Sequence, residues 1–254
     1  MSIQNRLSDA RALELSVTLV EATHVKVRLS CFELKVSLIP KFQPLLVNRH
    51  LQSITQHADF YKHTEVNAAS RDAVIRLVHV LFLKHPTNTC QPSHILPLSP
   101  IYCSTLSSAD RRLLSIFSLF EETRKVSAAS LFTRSVSDSD SDNPLDVLLN
   151  LDPASVFRAC LIFPAWRKLD DLGHHLDTTH PLDDRICDPV FVTLLLAHVL
   201  ATRPPSSTAQ WVRLFRTNVV SLLIRALSSR NDLLRDTCIS LISTIMDTLQ
   251  VRFH

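Results

Sequence analysis

The chain has 254 residues, 46% of them hydrophobic and 20% charged, a balance that suits one or two globular domains with a sizeable core and argues against disorder. It holds a single glycine, Gly173, where average usage of roughly 7% would give about 18, so the glycine-dependent phosphate loops, dinucleotide fingerprints and tight hairpins are excluded and an all-β fold is disfavoured. A formal net charge of +3 permits contact with nucleic acid without demanding it.

The opening residues, "MSIQNRLSDARALEL", place charged and polar groups where a secretory leader needs an apolar run, and the reading is that no secretion signal is present. Six cysteines (Cys31, Cys90, Cys103, Cys160, Cys187, Cys238) are scattered without paired spacing, which fits a reduced nuclear or cytosolic compartment.

Residues 70 to 85, "SRDAVIRLVHVLFLKH", put Val74, Leu77, Val78 and Leu81 on one helical face, and Pro86 stops the helix. "HPTNTCQPSH" follows, two prolines and three potential metal ligands between apolar segments, to be read either as a metal site or as a corner. A further helix starts at Ser107, an N-cap with Asp110 three residues on as in a capping box, and buries Leu113, Phe117 and Phe120. "SVSDSDSDNP", 135 to 144, reads as an acidic surface loop.

Three helices open with Asn or Asp before Pro, at Asn143, Asp152 and Asp188, where the side chain caps free amides and the proline occupies the first turn. Between the second and third of these, "KLDDLGHHLDTTHPLDDR" reads as a second surface loop. "VFVTLLLAHVLA", 190 to 201, is far short of the about 20 apolar residues that cross a bilayer and is expected to be a buried helix.

The clearest unit is "TNVVSLLIRALSSRNDLLRDTCISLISTIMDTLQ", 217 to 250. Val220, Leu223, Ile224 and Leu227 are expected to line one helix, "SSRND" to turn the chain, and Leu234, Cys238, Leu241, Ile245 and Leu249 to line the next, with Arg235 early in the second. Helix pairs of this kind predict an all-α fold, an irregular HEAT/armadillo-like α-solenoid of stacked antiparallel pairs. Residues 1–134 and 144–254 form two helical segments of one continuous solenoid, separated by the acidic loop 135–143, with a polar loop at about 168–187 in the second.

Zinc could be offered two nitrogens and two sulfurs by His85, Cys90, His94 and Cys103, which would be the basis of a zinc enzyme. No second cysteine stands at C-x-x-C distance, however, and Pro86 and Pro92 already account for a stiff corner. His174, His175 and His180 with Asp170, Asp171, Asp177, Asp183 and Asp184 also carry donors, but no spacing fixes a geometry and a solvated loop is preferred. No nucleophile signature is present, and the reading is a protein without enzymatic activity, cofactor or metal.

Ser135, Ser137 and Ser139 each precede an aspartate by three positions, the spacing acidophilic kinases read; the segment is either a phosphorylation site or an unmodified solubilising linker. Arg111 with Arg112, Arg124 with Lys125, Arg167 with Lys168, and Arg213 and Arg216 beside Trp211 and Phe215 are candidate RNA or partner contacts, to be weighed against the ordinary wet faces of helices.

The run "RDAVIRLVHVLFLKHPTNTCQPSHILPLSPIYCSTLSSADRRLLSIFSLFEETRKVS", and then "LDPASVFRACLIFPAWRKLDD", "DPVFVTLLLAHVLATRPP" and "WVRLFRTNVVSLLIRALSSRNDLLRD", resembles in order a carboxy-terminal stretch of the nucleolar pre-ribosomal-associated protein 1 family, also called unhealthy ribosome biogenesis protein 1. The resemblance covers about residues 45 to 250. It implies a nucleolar helical-repeat scaffold of early large-subunit pre-ribosomes, working with pre-rRNA and assembly factors including an RNA helicase, and no membrane, enzyme or metal. It also implies that "HPTNTCQPSH" is a corner between solenoid helices.

Family members are much longer, so the chain is read as a fragment, a short gene model or a divergent duplicate, its last helix expecting a further repeat. A generic HEAT or armadillo adaptor without an RNA role is the alternative function.

Overall fold

The computed structural model describes residues 44–65, 68–125, 143–172, 176, 177, 179, 180 and 184–253, together with positions 11, 13, 14, 17 and 18. Among these, regular structure is helical apart from one isolated antiparallel bridge between Thr105 and Cys187. The helices are α1 (Pro44–Thr55), α2 (Phe60–Glu65), α3 (Ala68–Lys84), α4 (Pro86–Thr89), α5 (Pro92–Ile95), α6 (Ser108–Arg124), α7 (Pro144–Leu149), α8 (Pro153–Leu161), α9 (Pro189–Thr202), α10 (Thr208–Arg216), α11 (Val219–Ala226) and α12 (Asp232–Phe253).

Local chemistry sets most boundaries. Asn143 accepts from Leu145 N, Asp152 from Ala154 N and Ser155 N, and Asp188 from Val190 N, each with proline in the first turn, as the Asn/Asp-Pro pattern predicts. Ser107 caps α6 by accepting from Asp110 N, but Asp110 does not complete a capping box. Its buried carboxylate instead accepts from Cys103 N, Thr105 N, the Thr105 hydroxyl and Arg71 Nη2. The reciprocal box occurs at α10, where Ser207 accepts from Gln210 N and the Gln210 side chain returns to Ser207 N.

Two helix pairs run side by side in the same direction. Arg71 and Ser107 meet at 3.4 Å, and His79 and Ser115 at 2.9 Å, both 36 residues apart, so α3 and α6 are parallel. Asn218 donates to Pro153 O at 3.2 Å and Arg225 to Cys160 O at 3.1 Å, both 65 apart, so α8 and α11 are parallel too. Helices α1 to α6 pack chiefly on one another, as do α7 to α12.

The core is apolar and continuous, including Phe82, Phe117 and Phe120 in the first half and Phe191, Trp211 and Leu223 in the second. Leu113, Phe117 and Phe120 are buried as expected, and Leu234, Cys238, Leu241 and Ile245 line the inner face of α12. The reading of α11 needs correction: its buried face is Val219, Leu222, Leu223 and Ala226, while Ile224 and Leu227 face solvent. Helix α9 is buried over most of its length. Residues 126–142, which contain most of the acidic Ser/Asp loop, lie outside the described residues.

Candidate interaction surface

The corner "HPTNTCQPSH" folds as two single-turn helices, α4 and α5, each with proline in its first turn. The Thr89 hydroxyl donates to Phe82 O and His85 O, tying α4 to the end of α3. His94 Nδ1 lies 2.7 Å from Thr89 O, and Arg124 on α6 donates from Nε to Cys90 O at 2.8 Å and from Nη2 to Thr87 O at 3.1 Å. Neither His85 nor Gln91 caps through its side chain, and the carbonyls of this corner are engaged instead by Thr89 and by Arg124 across the fold.

Cys90 is fully buried, and burial raises its thiol pKa. Cys103 stands apart from it, beside Arg71 and the carboxylate of Asp110. Among the described residues no three His, Cys, Asp or Glu side chains are gathered as a metal-binding group.

The segment expected as a polar surface loop at 168–187 is anchored at both roots in the interior. Leu106 N donates to Ile186 O and Asp188 N to Ser104 O, both at 2.9 Å, flanking the Thr105–Cys187 bridge. Tyr102 packs edge-on against Phe117 at 5.5 Å and Phe191 at 5.4 Å, so one ring links α6 to α9.

Beside it lies a buried ionic group of Arg111, Arg167, Asp171 and Asp188. Arg167 donates from Nε and Nη2 to Asp188, and from Nη1 to Asp171 Oδ2 at 2.8 Å and to the Asp171 carbonyl. Arg111 reaches Asp171 Oδ2 at 3.1 Å and lies over the Trp166 ring at 4.9 Å. Trp166 in turn stacks on His180 at 4.5 Å.

Two cations against two carboxylates leave the group neutral, which is how buried charge is tolerated. Burial works against the charge on Arg167, but Asp188 and Asp171 hold its pKa above the ordinary guanidinium value. For Arg111, burial and then the like charge of Arg167 prevail, and its pKa is lowered. Arg111 and Arg167 are therefore corrected as surface contacts: neither guanidinium meets solvent, and Arg111 on α6 joins the first half of the fold to Asp171, which Arg167 ties to Asp188 within the second half.

The other predicted positions are distributed over the surface. Arg112 is largely buried and pairs with Asp72 at 2.5 Å. Arg124 secures the corner, and Lys125 is an exposed left-handed C-cap. Lys168, Arg213 and Arg216 are exposed. Of the expected stacking pair, Phe215 is exposed while Trp211 is in the core, so the platform reduces to Phe215. Ser135, Ser137, Ser139, His174, His175 and Asp183 lie outside the described residues.

Two features carry no signal in the sequence. His79 and Ser115 form a buried nucleophile-and-base-like pair, sealed between α3 and α6 where no substrate reaches it. A cleft of about 680 Å³ lies near the start of α6, bordered by Arg71, Asp72, Cys103 and Ser107, but its arginine is already paired with Asp110 at 2.6 Å.

No family model matches the chain, and no solved structure does. The chain is similar to Nucleolar pre-ribosomal-associated protein 1 of Mus musculus, 29% identical over an alignment 171 positions long that covers 58% of this chain and 7% of the mouse protein. The chain thus matches a small part of that relative, and the match agrees with the resemblance noted in the sequence. No helix among the described residues is long and apolar enough to cross a membrane.

Proposed function

We propose that the chain is a non-enzymatic scaffold module in nucleolar large-subunit ribosome assembly, holding pre-rRNA and assembly factors, an RNA helicase among them, against extended helix faces. The observation that carries this reading is the ordered similarity to a protein whose name places it with nucleolar pre-ribosomes.

The parallel pairs α3 with α6 and α8 with α11 support an α-solenoid, because equivalent helices of successive repeats stack in one direction. The state of the thiols disfavours a thiolate nucleophile. Burial is the first cause of the raised pKa at Cys90, Cys187 and Cys238, and at Cys103 burial and Asp110 act together.

The test is to tag the chain at its native locus, purify it gently, and sequence the co-purifying RNA before and after a high-salt wash. Enrichment of large-subunit precursor rRNA is expected. A preparation free of precursor RNA that keeps its protein partners after ribonuclease treatment would favour a second reading, an adaptor that binds proteins alone. The exposed apolar side chains on α8 and α11 are the observation in its favour.

A further inference from the structure

The parallel pair α8 and α11 leaves a large apolar surface outside. Phe157, Leu161 and Ile162 at and just beyond the end of α8 are 50%, 64% and 66% exposed, and Ile224 on α11 is 58% exposed. Their inward neighbours Val156, Ala159, Leu223 and Ala226 are buried, so each helix is apolar on two sides and only one is covered. Adjacent helices lying side by side form a groove between their ridges that accepts a third helix.

Within α8, and from α9 to the turn after α11, the charge has one sign, the exposed carboxylates next to these stretches being Asp152 at the N-cap of α8 and Asp232 and Asp236 on α12. From residue 189 to 231 the chain carries five arginines, no lysine and no acidic residue, and α8 carries Arg158 with no acid. Arg158, Arg203, Arg213, Arg216, Arg225 and Arg230 are all exposed, and none is in an ion pair among the described residues. Arg225 is aimed across the pair by its bond to Cys160 O. Arg71, Arg112 and Arg235, by contrast, each have an aspartate.

We infer that the α8–α11 face docks an acidic amphipathic helix of a partner protein, its apolar stripe seated on Phe157, Leu161 and Ile224 and its carboxylates facing Arg158 and Arg225. Aliphatic Leu161, Ile162 and Ile224 favour a peptide over RNA, since single-stranded RNA is held by aromatic and guanidinium stacking. The inference goes beyond the ribosomal reading, because it does not depend on which particle the chain joins.

The test places the photo-cross-linker p-benzoylphenylalanine at Phe157 in the full tagged chain, irradiates cells and maps the adducts by mass spectrometry, with the same group at exposed Gln250 on α12 as the control. The expected adducts are in protein segments of net negative charge with apolar residues at i, i+3 or i+4, and i+7. They fall about ten-fold or more with Arg158→Glu plus Arg225→Glu, because like charges then face each other. Ile224→Ser, an exposed change that leaves thermal unfolding in place, lowers them as well.

Adducts to RNA, lipid, a second copy of this chain or segments without acidic excess overturn the inference. So do adducts undiminished by charge reversal, or none above the Gln250 control. The rRNA content of the same preparations reports separately on the ribosomal reading.

Discussion

Arg167 grips Asp188 with two nitrogens, Nε at 3.2 Å and Nη2 at 2.9 Å, while Asp188 itself caps the first turn of α9. Because the same guanidinium also holds Asp171, one side chain fastens both ends of the segment between residues 171 and 188. That makes it the keystone of the buried ionic group, which Arg111 on α6 connects to the first helical half through Asp171.

Replacing Arg167 by Met is expected to lower the unfolding free energy by about 3 to 5 kcal/mol, since it leaves two buried carboxylates facing one cation. Arg111→Met is expected to cost less than about half of that, because Arg111 makes a single hydrogen bond to Asp171 and its Nε and Nη1 have no hydrogen-bond partner. Urea denaturation of the two variants in parallel gives the comparison. Equal losses would mean that the two arginines share the junction evenly.

The corner at 85 to 94 offers a second test. Arg124→Ala removes two charge-assisted bonds to the Cys90 and Thr87 carbonyls while leaving the apolar core untouched, and is expected to cost about 1 to 2 kcal/mol. Amide exchange should quicken at Cys90 and His94, whose bonds close α4 and α5, more than in α3. Uniform acceleration across the chain would count against a local role.

How far the sequence discloses this arrangement depends on the range of the interaction. The caps at Asn143, Asp152 and Asp188 are legible because donor and acceptor lie within three residues. The inner stripe of α12 is legible because its period is helical. Arg111 and Arg167 look like surface cations because each sits in a basic doublet, and the Asp171 that captures Arg111 is 60 residues away.

The face of α11 comes out rotated in the sequence because Val220, Leu223, Ile224 and Leu227 fit the helical period as well as Val219, Leu222, Leu223 and Ala226. Tertiary packing alone chooses between them. Asp110 resembles a capping-box acid, yet Arg71 from another helix claims it.

Alkaline pH is expected to unfold the protein. The Cys187 thiol and the Tyr102 phenol are raised above 9.0 and 10.0 by burial first and Asp188 second. A folded-state pKa above the unfolded value gives a stabilising contribution that is complete below the unfolded pKa and is lost as pH rises beyond it, because the unfolded chain ionises first. The urea midpoint should therefore hold up to about pH 8.5 and decline through about pH 9 to 11. Cys187→Ser, with a hydroxyl that does not ionise there, should flatten the early part of that decline.

The surface cations divide into those free to meet phosphate and those already engaged, and RNA binding should follow the division. Arg213→Ala with Arg216→Ala, both exposed, is expected to weaken binding to a single-stranded RNA probe and to reduce the slope of log K against log salt by about 0.7 for each phosphate no longer neutralised. Thermal unfolding should be unchanged, since neither guanidinium is in an ion pair among the described residues. Arg112→Ala should behave oppositely, lowering stability by breaking the pair with Asp72 while having little effect on the salt slope. If the slope is the same for all variants, RNA is held elsewhere on the molecule, and Arg213 and Arg216 are left to the acidic partner proposed for the neighbouring α8–α11 face.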